Sequence, residues 1–389
     1  MKDNHHTPPF RADVVGSYLR PDYLHTARRQ FTHGEIDLVA LTAVEDRAIR
    51  ELITKQKSLG LPVITDGEFR RSWWHLDFMW GLNGVEKASL SQGYVFDGIE
   101  TRPETARLTG KISGENHPFI EHFKFILPFA DANTLPRLTI PAPAQFLKEL
   151  HRPENKQATE SIYPDQAELV ADIVKAYQQF IKALYAAGCR NLQLDDCTWG
   201  MMVDARYNNA GVAISSQDCD CHPSTHTVVS SDLGSLAELL LNVNNGAVEG
   251  APEDLVLTTH VCRGNYRSTW AASGGYAPVA DALFGRENVA AYYLEFDTDR
   301  AGDFSPLAAV SGNKQVVLGL ISSKFGQLED KTTVIARIRE AAQYVPLERL
   351  CLSTQCGFAS TEEGNALTEE QQWAKIELVQ QIVAEVWKA

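Results

Sequence analysis

The chain has 389 residues, a formal charge of −14 at pH 7, and 44% hydrophobic against 22% charged residues, the balance of a globular protein with a sizeable core. That acidic field repels polyanions and no Lys/Arg-rich stripe offsets it, which excludes nucleic acid as a partner. No apolar run approaches the length of about 18 residues that a membrane span needs, and the opening MKDNHHTPPF lacks the parts of a signal peptide. Seven cysteines, an odd number, point to free thiols or metal ligands in a reducing compartment, the cytoplasm.

In chain order, eight short apolar runs occur at 13–16, 61–65, 137–141, 191–195, 255–260, 291–296, 316–321 and 350–354. Runs such as LVLTTH and VVLGLI are largely apolar on successive residues, which suits strands covered on both faces. Amphipathic stretches lie between them. Residues 41–59 place Val44, Ala48, Leu52 and Ile53 at helical spacing, and residues 166–187 do so with Leu169, Ile173, Tyr177, Phe180, Ile181 and Leu184. The last helix opens on a capping-box pattern, Thr368 with Gln371, and continues through Trp373, Ile376, Val383 and Val386. This alternation predicts an α/β fold, a single (β/α)8 TIM barrel forming one catalytic domain over 1–389, rather than an open doubly wound sheet. Two stretches exceed ordinary loop length. The first, about 81–136, has strand-like pieces at 93–98 and 107–113 and is expected to form a hairpin cap; the second, 199–233, follows the fourth strand.

In a barrel the loops after the strands build the site, so polar residues at strand C-terminal ends carry the chemistry. His260 and Cys262 close the fifth run, Glu295 the sixth, and Cys356 follows the eighth. Residues two apart on a strand point the same way, so His-x-Cys can offer both side chains to one ion. Imidazole, carboxylate and two thiolates suit tetrahedral Zn²⁺. Singly, each has a plainer reading as a buried thiol, a satisfied core histidine or a glutamate paired with arginine. Jointly they favour the metal. A second cluster, Asp218-Cys219-Asp220-Cys221-His222 with His226, has metal-binding composition, but its C-x-C-H spacing matches no common zinc motif. A lid or contact surface accounts for it better, and His5 and His6 read as tail. Trp73 and Trp74 read as core packing, with a pocket wall as the alternative.

Six segments carry a resemblance: Val15-Gly16-Ser17-Tyr18, Asp66-Gly67-Glu68-Phe69-Arg70, Leu194-Asp195-Asp196, His260-Val261-Cys262, Leu294-Glu295-Phe296 and Gln355-Cys356-Gly357. In that order, across nearly the whole chain, they resemble the catalytic-domain family of cobalamin-independent methionine synthase in its short single-barrel form. The resemblance implies a zinc held by His260, Cys262, Glu295 and Cys356. It also implies a methyl transfer to the thiol of homocysteine that gives methionine, with a methyltetrahydrofolate as donor. Asp195 would hold the acceptor's ammonium and Ser17 would meet its carboxylate; a second acid would come from Glu68 or Asp77, with Asp77 preferred. A plainer reading makes Asp195 and Asp196 a loop-entry pair capping the next helix, and Ser17 a turn residue.

The donor side departs from the family. The long form has a second barrel that helps hold a polyglutamyl methylfolate, and a histidine after strand seven that serves proton transfer. Here that stretch runs Ser322-Ser323-Lys324-Phe325-Gly326, so Lys324 stands with Asp195 as an expected catalytic residue, or else as a solvated rim lysine. The donor and the oligomeric state are left open. The runner-up is an alkyltransferase to another thiol, of the epoxyalkane:coenzyme M transferase kind. A zinc hydrolase is disfavoured, since the first run has no His-x-His pair and two thiolates make zinc a poorer activator of water. A zinc-binding protein without turnover is the remaining class.

Overall fold

The structure, a computed structural model, describes residues 7–204 and 233–388. The Cys219/Cys221/His222 cluster with His226, and His5 and His6, lie outside the described residues. So does most of the 199–233 insertion.

The strands are β1 (Val63–Ile64), β2 (Asn83–Ser89), β3 (Val95–Phe96), β4 (Ile99–Glu100), β5 (Glu104–Ser113), β6 (Leu135–Pro136) and β7 (Leu138–Pro141). They continue as β8 (Asn191–Asp196), β9 (Val256–Val261), β10 (Ala291–Glu295), β11 (Gln315–Ile321) and β12 (Leu350–Thr354). β7 to β12 form one parallel six-stranded sheet in which each strand lies beside its sequence neighbour. Every residue of β8, β10 and β12 is buried, so both faces of these strands are covered and their polar residues gather toward the C-terminal ends.

Six of the eight expected strands therefore make up the sheet. The second is shortened to β1, which pairs in parallel with β6 just ahead of β7. The first is an extended segment tied down by single bridges. Asp13 N donates to Leu352 O (3.0 Å), Leu352 N to Arg11 O (2.8 Å), and Tyr18 N to Gly67 O (3.2 Å). It carries no longer ladder because Gly16 turns the chain at φ +135°, as Gly67 does opposite it at +67°.

Helices cover the sheet, and their starts are legible. Asp37 caps Leu38–Ser58, Asp165 caps Gln166–Ala186 and Asp330 caps Lys331–Ala341, each by accepting from an amide of the first turn. Thr368 and Gln371 close the capping box expected ahead of Glu369–Val386. At the strands' N-terminal ends a buried ion pair joins Arg137 to Asp13 (3.0 Å), and Tyr293 donates its hydroxyl to Asp13 (2.8 Å). At the opposite end lies the insertion between β1 and β6. β2 and β5 pair antiparallel, β3 and β4 form a short hairpin between them, and the result is the cap expected for that stretch. Among the described residues no helix is long and apolar enough to cross a membrane.

Candidate metal centre and its cavity

Three strand ends bring His260, Cys262, Glu295 and Cys356 together. All four are buried, and each offers a ligand atom within 4.8 Å of the others. His260 ends β9, and its Nδ1 lies 3.1 Å from the Tyr293 carbonyl on β10, which can only accept. That fixes the proton on Nδ1 and leaves Nε2 as a lone pair; it is buried and has no partner among the described residues. The Cys262 and Cys356 sulfurs stand 3.8 Å apart. Glu295 accepts from Arg263 N (3.0 Å) and from Arg300 (3.2 Å).

The electrostatics of the four groups follow from their burial and their neighbours. Contact with Cys262 and burial push the Cys356 thiol well up, since a second thiolate there is unfavourable without a positive neighbour. Burial alone would depress His260, but Cys356 and Glu295 outweigh it and raise it. Burial likewise opposes ionisation of Glu295, but Lys324, Arg263 and Arg300 overcome it and hold the carboxyl below its usual range. An orphaned imidazole nitrogen, two thiols and an ionised carboxylate fit Zn²⁺.

The cavity beside this set is lined by Ser17, Glu68, Asp195, Cys197 and the aromatic residues Trp73 and Trp74, among others. Asp195 ends β8 and takes a hydrogen bond from Gln193 on one oxygen (2.8 Å). Burial and the Glu68 charge push it well up. Glu68 sits at φ +63°, a costly conformation for a residue with a Cβ. Asp66 holds it there by accepting from its amide (2.9 Å), and Arg20 by donating to its carbonyl (2.7 Å). One Glu68 oxygen accepts from Thr139 (2.8 Å) and pairs with Arg71 (3.3 Å), and the other is buried without a partner among the described residues, so the strain aims a carboxyl with a spare oxygen into the cavity.

The other expected site residues fall differently. Asp77 does not line the cavity: its Oδ2 accepts from Trp73 N (2.8 Å) and from the Ser72 amide and hydroxyl, stitching the turn ahead of its own helix. Lys324 is neither on the rim nor in the cavity. It is 1% exposed, and its Nζ donates to Asn265 Oδ1 (2.8 Å), Thr269 O (3.2 Å) and Gly264 O (3.4 Å). Its ammonium is engaged by that loop, and its charge helps to hold the Glu295 carboxyl below its usual range. Asp196 points away and accepts from the Thr198 amide (2.7 Å) and from Asn244 (2.9 Å), the capping role. Trp73 and Trp74 are wall residues. Arg102 lies 4.8 Å from the Trp73 ring, and Arg152 lies 4.3 Å from the ring of Tyr94, a cavity residue contributed by the hairpin cap.

Ser17 is pressed against Gly357. A Cβ on that glycine would lie 1.9 Å from Ser17 Oγ and 3.2 Å from Ser17 N. Gly357→Ala is expected to push Ser17 out of place and raise KM for a substrate that reaches Ser17 about tenfold, roughly 1.4 kcal/mol. Steady-state kinetics beside an unchanged metal content would show it.

Sequence reasoning passes over two cavity residues. Cys197 was one free cysteine among seven, and Lys148 one cation inside the helix Pro143–Leu150. A signal existed for the cysteine: it stands two residues past Asp195, as Cys262 stands two past His260.

No family model matches the chain. It is 44% identical to the uncharacterized protein YxjH of Bacillus subtilis over 381 residues, 98% of this chain and 95% of that one. A protein of Listeria monocytogenes, assigned provisionally as a vitamin-B12-independent methionine synthase, has a solved structure with a TM-score of 0.72. The two are 36% identical over 98% of this chain and 99% of that one. A B12-independent methionine synthase from a Shewanella species, solved with selenomethionine, matches with a TM-score of 0.71 at 17% identity over 97% of this chain and 98% of that one. Methionine synthase of Saccharolobus solfataricus is 22% identical over 90% of this chain and 89% of that one.

Proposed function

We propose, since this chain belongs to the cobalamin-independent methionine synthase family, that it is a zinc-dependent methyltransferase that methylates the thiol of homocysteine and releases methionine. The observation that carries this reading is the buried Nε2 of His260, without a hydrogen-bond partner among the described residues, facing two thiols and a carboxylate. Zn²⁺ held by His260, Cys262, Glu295 and Cys356 would supply the Lewis acidity that keeps a thiol deprotonated, hence nucleophilic, at neutral pH.

The chain's own residues do the rest. Tyr293 O fixes the tautomer of His260, and Arg263 N with Arg300 orients Glu295. Glu68 and Asp195 receive the acceptor's ammonium, and Ser17, backed by Gly357, meets its carboxylate. Two buried carboxyls facing one cavity favour an amino-acid thiol over the coenzyme-type thiol of the runner-up, which gives them no ammonium to bind. Selenomethionine in the Shewanella relative, the selenium analogue of methionine, supports the same acceptor class. We read the six-stranded sheet and the two segments flanking it as one (β/α)8 barrel and a single domain over 1–389, working in the cytoplasm with a methyltetrahydrofolate as donor.

The test offers homocysteine to the zinc-loaded protein with folate and sulfonium methyl donors in parallel. Methionine is expected from at least one of them. Chelation is expected to stop transfer and lower Tm by several degrees, because an ion bound to the folded state alone stabilises it. Zinc bound at one per chain with no methionine from any donor, or transfer undiminished by chelation, would refute the reading.

A further inference from the structure

On the reading above, homocysteine spends every polar group it has: its sulfur on the metal, its ammonium on Glu68 and Asp195, its carboxylate on Ser17. The same cavity carries further polar side chains that the acceptor leaves unused. They are His75, Gln145 and Lys148, and the rings of Trp74, Tyr94 and Phe96 line the cavity with them.

A buried relay fixes what His75 offers. Asn155 Nδ2 donates to Thr105 Oγ1 (2.8 Å), so the Thr105 hydroxyl hydrogen goes to Glu149. Arg152 pairs with that same Glu149 oxygen (3.4 Å), and the other oxygen accepts from the Tyr94 hydroxyl (2.6 Å). With its hydrogen given to a carboxylate, the Tyr94 oxygen can only accept from His75 Nε2, 3.1 Å away. The imidazole proton therefore sits on Nε2, and Nδ1 is a bare lone pair. Nδ1 is buried and has no hydrogen-bond partner among the described residues. Burial, with Lys148 and Arg152 nearby, draws the ring down to about 3, so it stays neutral. Thr105, Glu149, Arg152 and Asn155 are all buried, and a satisfied network of that kind holds its last member in one orientation.

Gln145 and Lys148 stand three residues apart in the helix Pro143–Leu150, hence on one face of it. Gln145 Oε1 is buried without a partner among the described residues. Lys148 is half-buried, and among the described residues its ammonium makes no hydrogen bond or ion pair. A lone pair, an amide oxygen and an ammonium, all unanswered in an aromatic-walled cavity, fit a flat ligand that brings N–H groups to the first two and an oxygen to the third.

We propose that His75, Gln145 and Lys148 are the residues that select the methyl donor. His75 Nδ1 and Gln145 Oε1 accept from the N–H groups of a flat heterocycle, and Lys148 donates to its carbonyl or carboxylate oxygen. The proposal rests on the methyltransferase reading above, and the reduced pterin of a methyltetrahydrofolate has all three features. A sulfonium donor would instead bring a second positive charge beside Lys148.

The test measures binding of monoglutamyl methyltetrahydrofolate to the zinc-loaded full chain by calorimetry, then steady-state kinetics with homocysteine. Replacements at His75 separate recognition from scaffolding. Asparagine sets an oxygen close to where Nδ1 stands but does not reach Tyr94, glutamine reaches Tyr94 but leaves the Nδ1 position empty, and phenylalanine keeps only the ring. His75→Gln and His75→Phe are expected to weaken donor binding about tenfold, and His75→Asn by less than about threefold. Lys148→Met, which leaves the relay untouched, is expected to weaken it about tenfold on its own. KM for homocysteine is expected to hold in all four. Donor binding that is unchanged in His75→Phe and Lys148→Met, better restored by glutamine than by asparagine, or absent from the wild type overturns the proposal. Methionine formed from a sulfonium donor in that last case leaves the methyltransferase reading standing. A zinc-loaded chain that forms no methionine from any donor overturns both.

Discussion

Cys356→Ser is expected to lose its zinc on dialysis and with it all measurable methyl transfer. The sulfur removed stands 3.8 Å from its partner, belongs to a residue 3% exposed, and lies beside an imidazole nitrogen that has no hydrogen-bond partner among the described residues. Structural zinc binds small domains with roughly 10–16 kcal/mol shared over four ligands. One thiolate therefore accounts for about 3–4 kcal/mol, a loss of affinity of roughly a hundred- to a thousandfold. Serine supplies a harder and far less acidic oxygen in its place. Metal analysis after dialysis against a weak chelator, alongside circular dichroism to verify the fold, measures this directly. A variant that keeps one zinc per chain at wild-type affinity would remove Cys356 from the ligand set.

The second large effect concerns the acceptor. Asp195→Asn and Glu68→Gln each exchange a carboxylate for an amide opposite the expected ammonium. Hydrogen bonds to charged groups are worth about 1.5–3 kcal/mol, so KM for homocysteine should rise roughly ten- to a hundredfold in each variant while the zinc content stays at one. A pH signature accompanies this. Burial pushes both carboxyls up: the Glu68 charge adds to it at Asp195, and Arg71 and Arg20 pull against it at Glu68. A carboxyl whose pKa is raised keeps its proton as pH climbs, and only the ionised form attracts an ammonium. Acceptor affinity should therefore strengthen as pH rises through the shifted carboxyl, and weaken again in the alkaline range, where the free amino acid's own ammonium loses its proton. In Asp195→Asn the rising limb should flatten. Equal KM values and superimposable pH profiles would place the ammonium elsewhere.

What could be read from the sequence was whatever has a period or a strand end attached to it. His260 and Cys262 are two apart at the close of an apolar run, and Glu295 and Cys356 close or follow others, so parity and strand polarity alone group four residues that are distant in the chain. The capping box at Thr368 and Gln371 is local chemistry and was equally plain. Contacts set by the tertiary path were not legible. Nothing in the residues around Lys324 says that the loop at 264–269 will surround its ammonium. The sequence favours Asp77 over Glu68 as the second acid, because what aims Glu68 at the cavity is a positive φ that an arginine 48 residues upstream helps to hold. The first two strands were found by their apolar runs, yet their ladders are cut short by Gly16 and Gly67, whose turns deliver Ser17 and Glu68 to the cavity.

The sulfur pair at the metal centre also has a consequence at the bench. Stripped of its ion and left in air, the protein holds two thiols at 3.8 Å with little between them but a short closing movement. Dioxygen would be the oxidant that joins them. Preparations made with chelators and without a reducing agent should then reload poorly however much zinc is returned, and a brief incubation with a phosphine should restore them.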